Sequence, residues 1–185
     1  MIEFKHIEKK YMLKNKSDFF ALKDINLTIK DHEVVGIVGY SGAGKSTLIR
    51  LINGLIEPTK GQVLIDNVDI FTLKRQALDR MRQNMGMIFQ QFNVLSSLTV
   101  YQNVALPLKL SAYNKEDIKQ RVHDVLELVG LFDKKDEYPS KLSGGQLQRV
   151  GIARAIVQNP KYLLCDEITS ALDQKTAYEV MDLLM

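Results

Sequence analysis

The sequence has 185 residues, 45% apolar and 25% charged, which is enough for one substantial core and a small appended subdomain. Its 25 basic and 22 acidic residues leave a net charge of +3 with no block of like sign, which argues against a nucleic-acid-binding arm. The single cysteine, Cys165, excludes an internal disulfide and suits a reducing compartment, and no apolar run approaches the ~20 residues of a membrane-spanning helix.

Charges interrupt every apolar run near Met1, so the N-terminus does not read as a signal peptide. From Ile2 to Ile7 apolar and polar residues alternate, which predicts a half-buried strand. Tyr11 follows, then a polar, lysine-rich turn from Lys14 to Asp18. A second strand is expected over Ala21 to Ile29, and a turn at Asp31-His32-Glu33. Val34-Val35-Gly36-Ile37-Val38 reads as a buried strand. It leads into Gly39-Tyr40-Ser41-Gly42-Ala43-Gly44-Lys45-Ser46-Thr47 and a helix through Leu48 to Ile52 that stops near Asn53-Gly54. Beyond a turn at Glu57 to Gly61, Gln62 to Asp66 is a strand and Leu73 to Arg82 a basic helix. Gly86-Met87-Ile88-Phe89 is a short buried strand ending at Gln90-Gln91.

From Phe92 to about Asn159 the texture is helical. One helix opens at Leu98 to Val104. Another spans Lys115 to Val129, with Ile118, Val122, Val125, Leu126 and Val129 at helical spacing, and Gly130 stops it. Tyr138 to Leu142 leads into a third that runs to about Val157. Tyr162-Leu163-Leu164-Cys165 returns to a buried strand, and Thr176 to Met185 is a helix.

Three motifs carry chemistry. Gly39 to Thr47, between a strand and a helix, fits the glycine-rich loop G-x-x-x-x-G-K-S. A chance match has a probability of about one per cent in a chain this long, so a mere glycine turn with a solvated lysine is the weaker reading. Its glycines let successive N–H groups face a phosphate, and the helix adds its positive dipole end. Lys45 can reach the β- and γ-phosphates and Ser46 can ligate Mg²⁺. The second motif is Asp166-Glu167 at a strand end. Asp166 suits Mg²⁺, while Glu167 points the other way and can serve as general base toward a water. Taken alone, two solvated carboxylates explain that pair equally well. The third is Leu142-Ser143-Gly144-Gly145-Gln146, a flexible turn at a helix start where Ser143 can cap the helix or bind an anion beside the bare Gly144 and Gly145 amides. A plain serine cap explains Ser143 but not the two helix-breaking glycines.

In that order the three motifs resemble an ATP-binding-cassette transporter ATPase, and the resemblance covers the whole chain. It implies an α/β fold: a P-loop NTPase (RecA-like) core with an antiparallel β subdomain and an inserted helical subdomain. Residues 1–91 would form the first part of the ATP-binding core, 92–159 the helical subdomain with Ser143 to Gln146, and 160–185 the second part. Tyr11 resembles the aromatic that stacks on adenine, and a surface tyrosine is its plainer reading. Gln90 resembles the glutamine that touches Mg²⁺ and signals to the membrane partner, and a polar strand end is the alternative there. Ser170-Ala171-Leu172-Asp173 resembles a loop that meets a second subunit. The resemblance implies ATP and Mg²⁺ as ligands and a head-to-tail homodimer. In it each ATP lies between one subunit's Gly39 to Thr47 loop and the other's Ser143 to Gln146 turn. It further implies a membrane permease, an extracellular substrate-binding protein met indirectly, no nucleic acid, and a peripheral position on the cytoplasmic face of a bacterial plasma membrane.

The wording is most similar to the methionine importers, notably over Gly42 to Arg50, Met87 to Ser97, Asn103 to Leu108 and Leu164 to Glu167. Other amino-acid importers and lipoprotein exporters share parts of it. Two departures stand out. Ile168 occupies a place where the family usually has alanine, so its branched side chain must be packed away or it would shift Glu167. The family's histidine some thirty residues past the acids has no counterpart, since His6, His32 and His123 lie too early. The chain is therefore expected to be C-terminally truncated, with apolar faces of a parallel sheet left open and turnover in doubt.

Overall fold

Alternating apolar residues from Ile2 onward build the first strand of the computed structural model, which describes residues 1–12, 18–168, 174, 177, 178, 181 and 182. This strand, β1 (Ile2–Met12), runs antiparallel to both β2 (Asp18–Ile29) and β3 (Lys60–Ile65). The two-residue β4 (Val68–Asp69) joins β3, giving a four-stranded sheet in the order β2-β1-β3-β4. The register sets Ile2 between Ile29 and Ile65, and Phe4 between Leu27 and Val63. Period-two geometry then puts these apolar side chains on one face, where Ile2, Phe4, Val63 and Ile65 are buried. Helix α1 (Lys45–Ile52) buries Leu48, Ile49, Leu51 and Ile52 and packs on β2 and β3. These elements belong to the first of two compact units, residues 1–80. Helix α2 (Arg75–Gln83), basic as expected, buries none of its residues and crosses the unit boundary.

The second unit, from residue 81, contains the parallel pair β5 (Met85–Ile88) and β6 (Tyr162–Cys165). Its core is helical: Val100, Val104 and Leu108 of α3 (Val100–Leu110) meet Ile118, Val122 and Leu126 of α4 (Lys115–Leu128). Val150 and Ala153 of α5 (Gly144–Ile156) close the cluster. Each of these helices starts on a side-chain cap, from Thr99, Asn114 and Ser143 respectively. The buried Asn103 fastens the loop before α3, donating to the carbonyls of Leu95, Leu98 and Thr99 and accepting from the Leu95 N–H. No helix among the described residues is long and apolar enough to cross a membrane.

One predicted element does not form. Residues 33–40 have no regular backbone pairing, and Val34 and Val38 are 95% and 96% exposed, so the expected buried strand over Val34 to Val38 is corrected to an irregular, solvated segment. β-Branched residues favour a strand, but a strand exists only where neighbours supply the ladder, and no described strand lies beside this run. The lysine-rich turn at 14–17 and the loop Ser170 to Asp173 lie outside the described residues. So does most of the last helix, of which Gln174, Ala177, Tyr178, Met181 and Asp182 are helical.

Candidate functional site

Within the first unit, residues 39–47 form a wound loop that runs into α1. The Ala43 N–H donates to the Tyr40 carbonyl at 3.1 Å, closing a turn. Gly42 and Gly44 both take left-handed backbone, φ +79° and +91°, a region that costs any side chain dearly. Gly44 is also wedged: a Cβ there would stand 2.4 Å from the Ala21 carbonyl oxygen of β2. The loop is thus pressed onto the sheet, and its N–H groups lead into the positive end of α1. Lys45 folds back over the loop, its ammonium donating to the Gly39 carbonyl at 2.9 Å and to Tyr40 at 3.1 Å. A flexible cation beside a glycine-rich turn at a helix start is a fitting receptor for a phosphate chain. Ser46 and Thr47 occupy the first turn of α1, half-buried, and Tyr40, Ser41, Gly42 and Ala43 are exposed. Tyr11, at the end of β1, is exposed with the Lys9 ammonium 5.2 Å from its ring centre, so its outer face can take a flat partner.

In the second unit, parallel pairing brings three of the predicted residues to one end of a sheet. Ile88 pairs with Cys165, and the Asp166 N–H donates to the Ile88 carbonyl at 3.0 Å, so the ladder runs one residue past β6. Gln90, two residues beyond β5, and Asp166-Glu167 therefore leave the carboxyl ends of adjacent parallel strands. Asp166 is 3% exposed whereas Glu167 is exposed, and Glu167 has left-handed backbone at φ +49°. A non-glycine residue in that region is uncommon, and strain of this kind gathers at functional positions. Ile168 packs against the small cluster around Ile88 and Ile152, so its branched side chain is absorbed. Burial in the same cluster pushes the Cys165 thiol up to about 11, leaving it an inert apolar filler.

The Ser143 turn is more ordered than a flexible loop. Ser143 and Gln146 form a reciprocal capping box: the serine hydroxyl accepts from the Gln146 N–H at 3.3 Å, and the glutamine carbonyl accepts from the Ser143 N–H at 2.9 Å. Gly144 and Gly145 are the first helical residues of α5, with ordinary negative φ rather than the loop conformation expected of them. Two bare glycines at a helix start still let an anion approach the N-terminal N–H groups closely.

Each unit therefore gathers its own share of the predicted residues. The first holds Tyr11 and Gly39 to Thr47, and the second Gln90, Ser143 to Gln146, Asp166 and Glu167. Mg²⁺ needs few protein ligands, usually one or two carboxylates alongside substrate phosphates; within the second unit the Asp166 carboxylate and the Gln90 amide, and within the first the Ser46 hydroxyl, are donors of that chemistry. No described cluster of three or more His, Cys, Asp and Glu side chains could hold a metal by itself. One residue not singled out from the sequence emerges here. Arg154, on α5, is half-buried and its guanidinium donates to the carbonyls of Phe92 and Asn93, just beyond Gln90. The only sequence signal was a charged residue inside the otherwise apolar Gly151-Ile152-Ala153-Arg154-Ala155-Ile156.

Comparison with known proteins places this geometry. The sequence profile of the ABC transporter family matches residues 22–170, a span with every predicted site residue except Tyr11. The methionine import ATP-binding protein MetN 1 of Staphylococcus aureus strain N315 is 52% identical over 184 residues, covering 100% of this chain and 54% of that protein. The protein of the same name from Staphylococcus epidermidis strain RP62A is also 52% identical, with the same coverage. Among solved structures, the ATP-binding cassette MJ0796, a dimer in a post-hydrolysis state bound to ADP and Pi, superposes with a TM-score of 0.91. It is 41% identical, with 100% of this chain and 81% of that one covered. The protein cbiO1 from Clostridium perfringens, part of the ABC transporter complex cbiONQ, superposes with a TM-score of 0.84 at 34% identity, covering 99% and 71%. The chain spans about half the length of the curated relatives it matches.

Proposed function

The chain belongs to the ABC transporter family, and from that premise we propose that it is the ATP-binding and hydrolysing subunit of a bacterial importer that carries methionine. The observation that carries this reading is the wound loop at 39–47, with Gly42 and Gly44 left-handed and the Lys45 ammonium folded over it. That arrangement suits the phosphate chain of a nucleotide. Methionine as cargo rests on the names of relatives with 52% identity.

In this reading Gly39 to Thr47 cradle the phosphates and Tyr11 stacks on adenine. Lys45 offsets charge on the β- and γ-phosphates. Mg²⁺, held by Ser46, Gln90 and Asp166, would draw charge from the same oxygens. Glu167 takes a proton from the attacking water as its oxygen bonds to the γ-phosphorus. The bond from that phosphorus to the β–γ bridging oxygen breaks, and ADP and phosphate leave. Ser143, Gly144, Gly145 and Gln146 present the start of α5 to the ATP of a second copy, giving a head-to-tail homodimer. Residues 1–91 and 160–185 then serve as the ATP-binding core, and 92–159 as the helical part that meets the permease. The subunit sits peripherally at the cytoplasmic face of the membrane and meets a substrate-binding protein only through that permease.

Glu167→Gln tests the chemistry. Mg-ATP should still raise the melting temperature, while turnover in the assembled transporter falls by about a hundredfold or more. Undiminished hydrolysis would remove Glu167 from its role. Uptake of labelled methionine by cells lacking the gene tests the cargo. Wild-type methionine uptake, with loss of a different amino acid or of lipoprotein export, would reassign it.

A further inference from the structure

The segment just past Gln90 is fastened along α5 at several points. Arg154 Nη1 donates to the Asn93 carbonyl at 2.8 Å and Nη2 to the Phe92 carbonyl at 3.3 Å, so one planar fork holds two successive carbonyls. The Phe92 carbonyl also lies against Gly151, where an added Cβ would stand 3.4 Å from it. The tip of the Phe92 ring reaches Gly144, where an added Cβ would stand 3.8 Å from Cζ. Gly144 and Gly151 are two turns apart on one helix face, and Phe92 spans them. Asn93 is left-handed at φ +49°, a conformation asparagine adopts readily, and it turns the chain there. Gln148 shares that helix face. It is 1% exposed, and its Nε2 has no hydrogen-bond partner among the described residues. A buried donor of this kind is expensive, and it lies on the helix face that Phe92 spans.

We propose that Arg154 and Phe92 form a clasp that couples the strand end carrying Gln90 to the helix start carrying Ser143, Gly144 and Gly145. A displacement of Gln90 by Mg-nucleotide then reaches the Ser143 turn through α5. Arg154 touches neither nucleotide nor metal in this scheme and is a positioning residue. Its half-burial, which lowers its pKa, leaves the guanidinium few competing waters and sharpens its hold on the two carbonyls. Lysine cannot replace it, because a single ammonium lacks the rigid fork. The coupling rests on Gln90 and Ser143 binding nucleotide as proposed above.

Amide hydrogen exchange on the chain, with and without Mg-ATP, is the test, using Arg154→Lys and the gentler Phe92→Leu. Without nucleotide, residues 90–93 should exchange about tenfold faster in Arg154→Lys, while the core amides of Val104 and Val122 keep their rates. With Mg-ATP, wild type should gain protection at 39–47, 90–93 and 143–147. Both variants should keep the gain at 39–47 and lose it at 143–147. In turnover, Arg154→Lys should lower kcat about tenfold with KM for ATP nearly unchanged. Wild-type exchange at 90–93 in both variants overturns the clasp, and so does retained protection at 143–147. Absent protection at 39–47 in wild type would instead overturn the nucleotide reading, and the nucleotide-free rates at 90–93 would still decide the clasp.

Discussion

Val34-Val35-Gly36-Ile37-Val38 and Tyr162-Leu163-Leu164-Cys165 are both apolar runs that lead into a functional loop, and only the second is a strand. β6 has β5 as a parallel neighbour, and Leu164 is 7% exposed. The valine run has no described neighbour, and Val38 is 96% exposed. Composition alone gives the valine run the higher β-propensity, so pairing, not propensity, separates the two. The loop at 39–47 nevertheless forms without a strand before it. Its shape is local: a turn bond, two left-handed glycines, and a helix whose apolar side is buried on β2 and β3. Loop geometry and strand formation thus answer to different ranges of the sequence.

The largest effect expected from this contrast is at Gly44. A Cβ there meets the Ala21 carbonyl at 2.4 Å on a backbone at φ +91°, so Gly44→Ala carries both a clash and conformational strain. The expected cost is about 3 kcal/mol in urea unfolding, together with loss of the Mg-ATP-dependent rise in melting temperature. A Gly44→Ala chain that keeps both stability and nucleotide response would break the local account of the loop.

The next pair compares the runs directly. Leu164→Ala should cost about 2–3 kcal/mol, since it empties a packed position. Val38→Ser should change stability by less than about 0.5 kcal/mol, as for any solvated side chain. If Val38→Ser instead costs as much as Leu164→Ala, the valine run is covered in solution and the contrast between the two runs disappears.

What the sequence made legible follows the same division. Helix stops at Asn53 and Gly130, the Lys115 start of α4 and the four residues of β6 all depend on near neighbours in the chain, and each is found within about two residues of its expected place. The glycine pattern of 39–47 predicted a wound loop for the same reason. The failed strand at Val34 to Val38, the Arg154 fork to Phe92 and Asn93, and the packing of Ile168 against Ile88 and Ile152 all rest on contacts between distant residues. Gly144-Gly145 sits between the two cases. The glycines suggested a flexible turn, but the reciprocal bonds of Ser143 and Gln146 hold them in a helix.

The smallest effect sharpens the paired side of the comparison. Cys165 ends β6 against the Ile88 and Ile152 cluster, and burial raises its pKa from 9.0 to about 11. The folded chain therefore holds the thiol proton more tightly than the unfolded chain. The stability this contributes is complete below pH 9 and is lost as pH rises from 9 to about 11. At pH 8 the folded thiolate fraction falls to roughly a hundredth of that of a free thiol, so iodoacetamide should label native Cys165 about a hundredfold more slowly than urea-unfolded chain. Mass spectrometry over a time course measures this. Native labelling within about threefold of the unfolded rate would mean that the end of β6 opens readily, and that the β5–β6 pairing holds its residues scarcely better than the solvated valine run.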